Sequence, residues 1–125
     1  MNPATASIMV IGYDSDFCYL MHRYAIKSAY RIVLSRLGQD ALVLARREKP
    51  AAIMLEVDAS GAICWGVLRA LKADPGTRDI PVVICSWLDQ EEGSLEDGAD
   101  VYLQKPILYE DFVTALTNVG VYPCS

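Results

Sequence analysis

Short apolar runs alternate along the chain with stretches whose apolar residues are spaced as on one face of a helix. The three strongest runs show no clear alternation between apolar and polar residues, which is typical of strands covered on both faces. The predicted strands are 8–11, 30–34, 52–57, 81–85 and 100–103. The predicted helices are 16–28, 38–49, 63–73, 89–97 and 108–119. Five β-α units in strict order predict a parallel sheet with helices on both faces, an α/β architecture of three layers.

Composition supports one globular domain that covers residues 1–125, because 53% of the residues are hydrophobic and no repeat or linker is visible. The net charge of −5 argues against a general binder of nucleic acid or anionic membranes. No apolar run approaches the roughly 20 residues of a membrane span, and the first seven residues lack the features of a secretion signal. Four widely spaced cysteines allow two disulfides on count alone, but free thiols and a cytoplasmic location are favoured.

Charge is distributed unevenly. Residues 23–49 hold seven Lys or Arg and two acids, whereas residues 56–125 hold four Lys or Arg and twelve acids. Residues 89–100 contain six acids and no Lys or Arg. Such a stretch is either a solvated face or a docking face, and as a docking face it favours a basic partner.

Polar residues stand where several predicted strands end. Glu56 lies near the end of the third strand, Ser86 follows the fourth, and Lys105-Pro106 follows the fifth. In open α/β sheets, functional sites lie beyond the carboxyl ends of the strands. An acid, a hydroxyl and a lysine at one edge therefore predict a pocket for an anionic ligand.

The sequence resembles the receiver domain of bacterial two-component response regulators, over residues of about 7–119. The matching stretches are 8–11, 45–50, 53–57, 67–72, 78–83, 98–100 and 102–106. The most specific of them is Tyr102-Leu103-Gln104-Lys105-Pro106. The resemblance implies a flavodoxin-like fold with strand order 2-1-3-4-5.

The resemblance also implies a phosphorylation site at the carboxyl edge of the sheet. In the family, an aspartate after strand three accepts a phosphoryl group, and two acids after strand one hold Mg²⁺. A hydroxyl after strand four and a lysine after strand five contact that group, and an aromatic residue on strand five changes rotamer with it. The last three positions correspond here to Ser86, Lys105 and Tyr102.

Five other positions depart from the family pattern. Glu56 stands at the phosphoacceptor position, Gly12 and Tyr13 stand at the acidic pair, Ser60 stands at the loop proline, and bulky Trp87 follows the hydroxyl. Since Mg²⁺ is bound through carboxylates and water, weak or absent Mg²⁺ binding is expected, and no other cofactor. Phosphoryl transfer relies on such a metal and on tight positioning. Conventional phosphorylation is therefore expected to be absent or very weak.

The sequence predicts an atypical, non-enzymatic receiver that works as a phosphorylation-independent protein-interaction module. One hypothesis is that Glu56 reaches Lys105 and Ser86 and stands in for a phosphoaspartate; the alternative is that it only neutralises Lys105. Trp87 is interpreted as a lid or an interface residue, and Tyr13 as a space filler or a gate. The expected docking face comprises predicted helix 89–97, strand 100–103 and helix 108–119. Dimers in the family commonly pair basic residues of the fourth helix with acids of the neighbouring elements, and those basic residues are absent here. A monomer or weak dimer is therefore expected. The chain is either a stand-alone receiver or a piece of a larger regulator.

Two other functions stay open on the sequence. A still-phosphorylatable receiver would use a displaced acid, with Asp14 holding the metal or Asp58 accepting the phosphoryl group. A small phosphatase of the haloacid-dehalogenase type would use Asp14 and Asp16, which form a D-x-D pair. Its usual cap domain does not fit in 125 residues.

Overall fold

A computed structural model of the protein describes residues 6–36, 40–57, 62–87 and 98–122. Its strands are β1 (Ser7–Gly12), β2 (Arg31–Arg36), β3 (Ala52–Val57), β4 (Val82–Ser86) and β5 (Val101–Gln104). The helices within these residues are α1 (Ser15–Lys27), α2 (Asp40–Glu48), α3 (Ala62–Ala73) and α4 (Tyr109–Asn118). The predicted helix over 89–97 lies outside the described residues.

All five strands pair in parallel, in the order β2-β1-β3-β4-β5. This is the order that the resemblance implied, and the predicted α/β fold class is confirmed. The first strand, β1, lies between β2 and β3, and β4 and β5 follow on the far side of β3. The carboxyl ends of β1, β3, β4 and β5 consequently meet along one edge.

The central strands are buried on both faces, which explains why their sequences do not alternate. Successive side chains of a strand point to opposite faces of the sheet. In β1 and β3, even-numbered residues such as Ile8 and Met54 pack with α1 and α4, around Met21 and Phe112. The intervening residues pack on the other face with α2 and α3. Each face thus has its own core, and the sheet is the middle of three layers.

Two ion pairs tie the α2–α3 face together at the opposite end of the sheet. Arg46 donates from Nε and Nη2 to the Asp74 carboxylate, at 3.1 and 2.5 Å. The hydrogen bond from this guanidinium lowers the pKa of the Asp74 carboxyl group, and the Gly76 backbone amide also donates to it. Lys72 Nζ lies 2.9 Å from Asp100 Oδ2. Both acids therefore serve to hold loops onto the sheet.

Each helix in the described parts of the chain is too short or too polar to cross a membrane.

Candidate functional site

The predicted site residues come from four neighbouring segments at the carboxyl edge of the sheet. In the strand register, Glu56 of β3 lies opposite Cys85 of β4, and Val57 lies opposite Ser86. Ser86 in turn lies opposite Gln104 of β5. The Lys105 amide donates to the Ser86 carbonyl at 2.7 Å, which extends the β4–β5 pairing by one residue. The fold thereby brings Lys105 to the same edge of the sheet as Glu56, the penultimate residue of β3.

The Glu56 carboxylate is fully buried and accepts hydrogen bonds on both oxygens. Oε1 accepts from the backbone amides of Tyr13 and Asp14, at 2.9 and 3.1 Å. Oε2 accepts from Lys105 Nζ in a direct ion pair. A buried charge is tolerated only when it is paired and hydrogen-bonded, and this carboxylate meets both conditions. One side chain thus connects β3, the β1–α1 loop and the residue that follows β5.

Three aromatic rings lie close to the Lys105 ammonium. Its side chain is 6% exposed. Nζ lies 4.7 Å from the ring centroid of Phe17 and 5.8 Å from those of Tyr13 and Trp87. Aromatic faces carry negative potential and attract a cation at these distances. The positive charge is therefore compensated twice, by one carboxylate and by three rings.

Position 12 is a glycine where the neighbouring atoms leave no room for a side chain. A Cβ atom on Gly12 would lie 2.9 Å from Glu56 Oε1 and 2.9 Å from Cys18 Sγ. These distances are shorter than normal contacts, so any larger residue would have to displace its neighbours. The carboxylate of Glu56 therefore occupies the space that a side chain at position 12 would enter.

The described residues at the Glu56–Lys105 site do not fit a magnesium ion. Gly12 and Tyr13 supply no carboxylate, and both oxygens of Glu56 are engaged by the protein itself. Within the described ranges, no group of three or more His, Cys, Asp or Glu side chains could hold a metal. Mg²⁺ needs several oxygen ligands in near-octahedral geometry, and one fully hydrogen-bonded carboxylate does not provide them.

The strand beside Glu56 adds no further charge. Cys85 is fully buried on β4. Burial raises the pKa of the Cys85 thiol, and the Glu56 carboxylate adds to this effect while Lys105 opposes it. Since the thiol stays protonated, the ion pair contains the only charges of this part of the described core.

The structure distributes the other predicted site residues around this pair. Ser86 is buried at the end of β4, whereas Trp87 is 62% exposed. The side-chain amide of Gln104 donates a hydrogen bond to the backbone carbonyl of Trp87. Pro106 is exposed and follows Lys105 through a cis peptide bond. Tyr102 is half-buried and packs against the core on the α2–α3 face, while Glu56 lies on the α1–α4 face.

The acids of the alternative functions are placed differently. Asp14 is the N-cap of α1, and its side chain accepts from the Asp16 amide at 3.3 Å. Asp16 is exposed in the first turn of the helix. Asp58 and Ser60 lie outside the described residues. Asp14 therefore stabilises the start of α1, in addition to any other role.

Sequence reasoning missed two contributors to the site. Phe17 lies in the predicted helix 16–28 and is not among the predicted site residues, yet its ring is the nearest of the three to the Lys105 ammonium. The backbone amides of residues 13 and 14 carry no sequence signal at all. The position of Phe17 could have been predicted, because an aromatic residue in the first turn of α1, shortly after β1, lies next to the carboxyl edge of the sheet.

A tyrosine of α1 fixes the segment that carries Lys105. The Tyr24 hydroxyl donates to the Ile107 carbonyl at 2.8 Å, and Ser28 Oγ lies 2.7 Å from the Tyr109 hydroxyl. The rings of Tyr24 and Tyr109 lie 5.4 Å apart, and Phe112 is 5.5 Å from Tyr24. Burial raises the pKa of Tyr24, with a smaller contribution from Asp111. The β5–α4 connection is thus held to α1 two residues beyond Lys105.

Comparisons with known proteins bear on what this edge does. No model of a known protein family matches the chain. The response regulator PleD of Caulobacter vibrioides is 41% identical over 106 residues, which cover 82% of this chain and 23% of PleD. Protein PilH of Pseudomonas aeruginosa is 27% identical over 117 residues, which cover 91% of this chain and 97% of PilH. This chain is a homologue of response regulators. The resemblance seen in the sequence is thereby confirmed.

Solved structures show that the fold is that of a receiver domain. The chemotaxis protein CheY4 of Vibrio cholerae superposes with a TM-score of 0.83 at 17% identity, over 93% of this chain and 99% of CheY4. The receiver domain of the sensor histidine kinase PA1611 of P. aeruginosa gives a TM-score of 0.81 at 19% identity, over 94% of this chain and 99% of that domain. That domain was crystallised with a magnesium ion coordinated in its active-site cleft. The present receiver spans about a quarter of the length of PleD.

Proposed function

We propose that this receiver acts in two-component signalling as a protein-interaction module that needs no phosphoryl group on Glu56. The observation that carries the proposal is the Glu56 carboxylate, which is fully buried with both oxygens hydrogen-bonded. Receiver domains are in general non-enzymatic signalling modules that contact protein partners, and we propose that the same holds here. We assign the receiver to the whole chain, residues 1–125.

The chemistry of phosphoryl transfer supports this proposal. An attacking carboxylate must present a free oxygen in line with the phosphorus atom, and a metal must neutralise the charge that develops. Here Oε1 is held by two amides and Oε2 by Lys105. Glutamate also projects its carboxylate about 1.5 Å further than aspartate would. A displacement of this size can lower the rate about 10²-fold, before the missing metal is considered.

The contact with Lys105 supports a permanent substitute for the phosphorylated state. In the family, the lysine after strand five contacts the phosphoryl group. In this chain the same lysine binds the Glu56 carboxylate. The negative charge that a kinase would add is then supplied by the side chain itself, and the domain holds one signalling conformation.

We further propose that the partner is basic and that it binds near the acidic stretch that follows β4 in sequence. Within that stretch, Asp100 already pairs with Lys72 and accepts from the Val82 amide. The docking face would extend to β5 and α4, as expected from the sequence. Because residues 89–100 have no Lys or Arg, a monomer or a weak dimer is expected.

The test is phosphorylation by a small donor. The protein is incubated with acetyl phosphate and Mg²⁺, and the intact mass is measured; in parallel, beryllofluoride is added and backbone amide shifts are recorded. We expect no added phosphoryl mass and no change at the amides of Tyr13 and Asp14. A receiver with aspartate at the acceptor position serves as the positive control. Stoichiometric phosphorylation that disappears in Glu56→Ala would refute the proposal.

The same protein distinguishes the two alternative functions. Mg²⁺ binding that is lost in Asp14→Asn would favour a receiver that is still phosphorylated. Hydrolysis of p-nitrophenyl phosphate that requires Asp14 and Asp16 would favour the phosphatase. We expect neither, because Asp14 caps α1 and Asp16 is an exposed residue of its first turn.

A further inference from the structure

Two large aromatic side chains are exposed at the rim of the Glu56–Lys105 site. Tyr13 is 48% exposed and Trp87 is 62% exposed. Both ring centroids lie 5.8 Å from Lys105 Nζ, so the two rings surround the same ammonium. They stand where the sequence departs from the receiver pattern, at an acidic position and at a small residue. Exposed aromatic residues grouped at one site are typical of binding surfaces.

The chemistry beneath these rings excludes a simple anion site. The Lys105 ammonium is paired with Glu56 and is almost completely buried. An anion would have to break that pair to reach the positive charge. Both rings lie beside the ammonium, and each has a large fraction of its surface exposed.

Charge around the rim favours a basic ligand. Asp14 and Asp16 lie one and three residues after Tyr13. In the sequence alone, residues 88–97, which follow Trp87, hold five acids and no Lys or Arg. Lys105 is neutralised by Glu56. Between the last residue of each strand and the helix that follows it, the sequence has one other Lys or Arg, which is Arg36 at the end of β2. Arginine is the basic residue that best fits aromatic rings beside carboxylates, because its planar guanidinium stacks on rings and pairs with acids at once.

We propose that Tyr13 and Trp87 form the docking surface for an arginine-bearing segment of a partner protein. The arginine stacks on the exposed ring surface and pairs with Asp14 or Asp16, and apolar neighbours of the arginine cover the rest of the rings. This inference rests on the proposed function, since it adds a second contact surface, at the Glu56–Lys105 site, for the basic partner of an unphosphorylated receiver. Tyr13, which stands at one position of the family's acidic pair, would then also form part of the binding site.

The test uses a synthetic peptide of alternating arginine and leucine, and a matched peptide with glutamate in place of arginine. Binding to the whole chain is followed by the indole N–H signals in ¹⁵N–¹H spectra, where half-buried Trp65 of α3 is the internal reference. We expect the arginine peptide to shift the Trp87 signal and to leave that of Trp65 in place. Trp87→Ala and Tyr13→Ala should each weaken binding about tenfold or more, as for central interface aromatics.

Matched variants distinguish binding at this surface from non-specific binding of the peptide. Tyr122 is 67% exposed but follows α4, whose end lies at the opposite edge of the sheet, so Tyr122→Ala should leave binding unchanged. Tyr13→Phe keeps the ring and should bind like the parent protein. Equal binding of the glutamate peptide, no binding of the arginine peptide at millimolar concentration, or full binding by Trp87→Ala overturns the inference. The phosphorylation test is independent: a modified Glu56 with docking intact would refute the proposed function and leave this surface standing.

Discussion

Replacing Glu56 with glutamine tests the central contact of the site with almost no change in shape. The carboxylate offers two acceptor oxygens, one to the backbone amides of Tyr13 and Asp14 and one to Lys105. A glutamine has only one acceptor oxygen, so it satisfies one side and presents its NH₂ group to donors on the other. The variant therefore folds with either an unpaired ammonium or two unpaired amides.

Both arrangements are costly. Leaving a buried ion without its partner costs about 3–5 kcal/mol. Leaving two buried amides without acceptors costs about 1–3 kcal/mol each. Glu56→Gln should thus lower the free energy of unfolding by about 3 kcal/mol or more, from a typical total of about 5–15 kcal/mol. Urea denaturation followed by far-UV circular dichroism measures this difference.

A double-mutant cycle shows whether the loss comes from the pair. Lys105→Met should also destabilise the protein, but the double variant should cost less than the two single changes together, by about 1–3 kcal/mol. Glu48→Gln is the matched surface control, because its partner Arg47 is largely exposed, and it should have little effect. If Glu56→Gln is as stable as the parent, or if the two changes are additive, the buried ion pair does not exist as described.

Three further changes follow from the same structure. Gly12→Ala should destabilise the protein by about 1–3 kcal/mol, because its Cβ would lie 2.9 Å from a carboxylate oxygen and from a sulfur. Gly66→Ala on α3, where a Cβ meets no atom within 4 Å, should be neutral or stabilising. The midpoints of urea denaturation compare the two variants. Tyr24→Phe should lower stability by about 1 kcal/mol through the lost hydrogen bond to the β5–α4 connection; unchanged stability would contradict this role. The pKa of Asp74 is lowered by its hydrogen bond from Arg46, so the stabilisation is present above the usual pKa of 3.8 and is lost as the pH falls through the folded value. Acid titration of Asp74→Asn should show a smaller loss of stability over that range, and identical curves would refute the assignment.

The sequence allowed the fold to be predicted because local pattern and global architecture agree. The apolar run at 52–57 lacks alternation, and β3 is indeed buried on both faces. The strand order did not follow from the residues alone; it came from the resemblance carried by residues such as Tyr102-Leu103-Gln104-Lys105-Pro106. Strand boundaries differed by one or two residues, as with β1, which extends to Gly12.

The candidate site was predictable in its chemistry and not in its geometry. Topology alone places Glu56 and Lys105 at the same edge, and opposite charges at one edge were expected to approach each other. The amides of Tyr13 and Asp14 could not be anticipated, because every residue but proline has one and only the loop conformation selects these two. Tyr102 shows the opposite case: it matches a family position, but strand alternation places it on the other face from Glu56.

The contacts of Glu56 also bear on how long each folded molecule lasts. They join chain segments that are 42, 43 and 49 residues apart, and contacts at such separations carry a large loop-closure cost and tend to form after local structure. Interactions that are absent from the folding transition state slow unfolding and leave the folding rate nearly unchanged. An ion pair that forms after the folding transition state would slow unfolding, and so would lengthen the lifetime of the native state and raise its resistance to forced unfolding, with little effect on the folding rate.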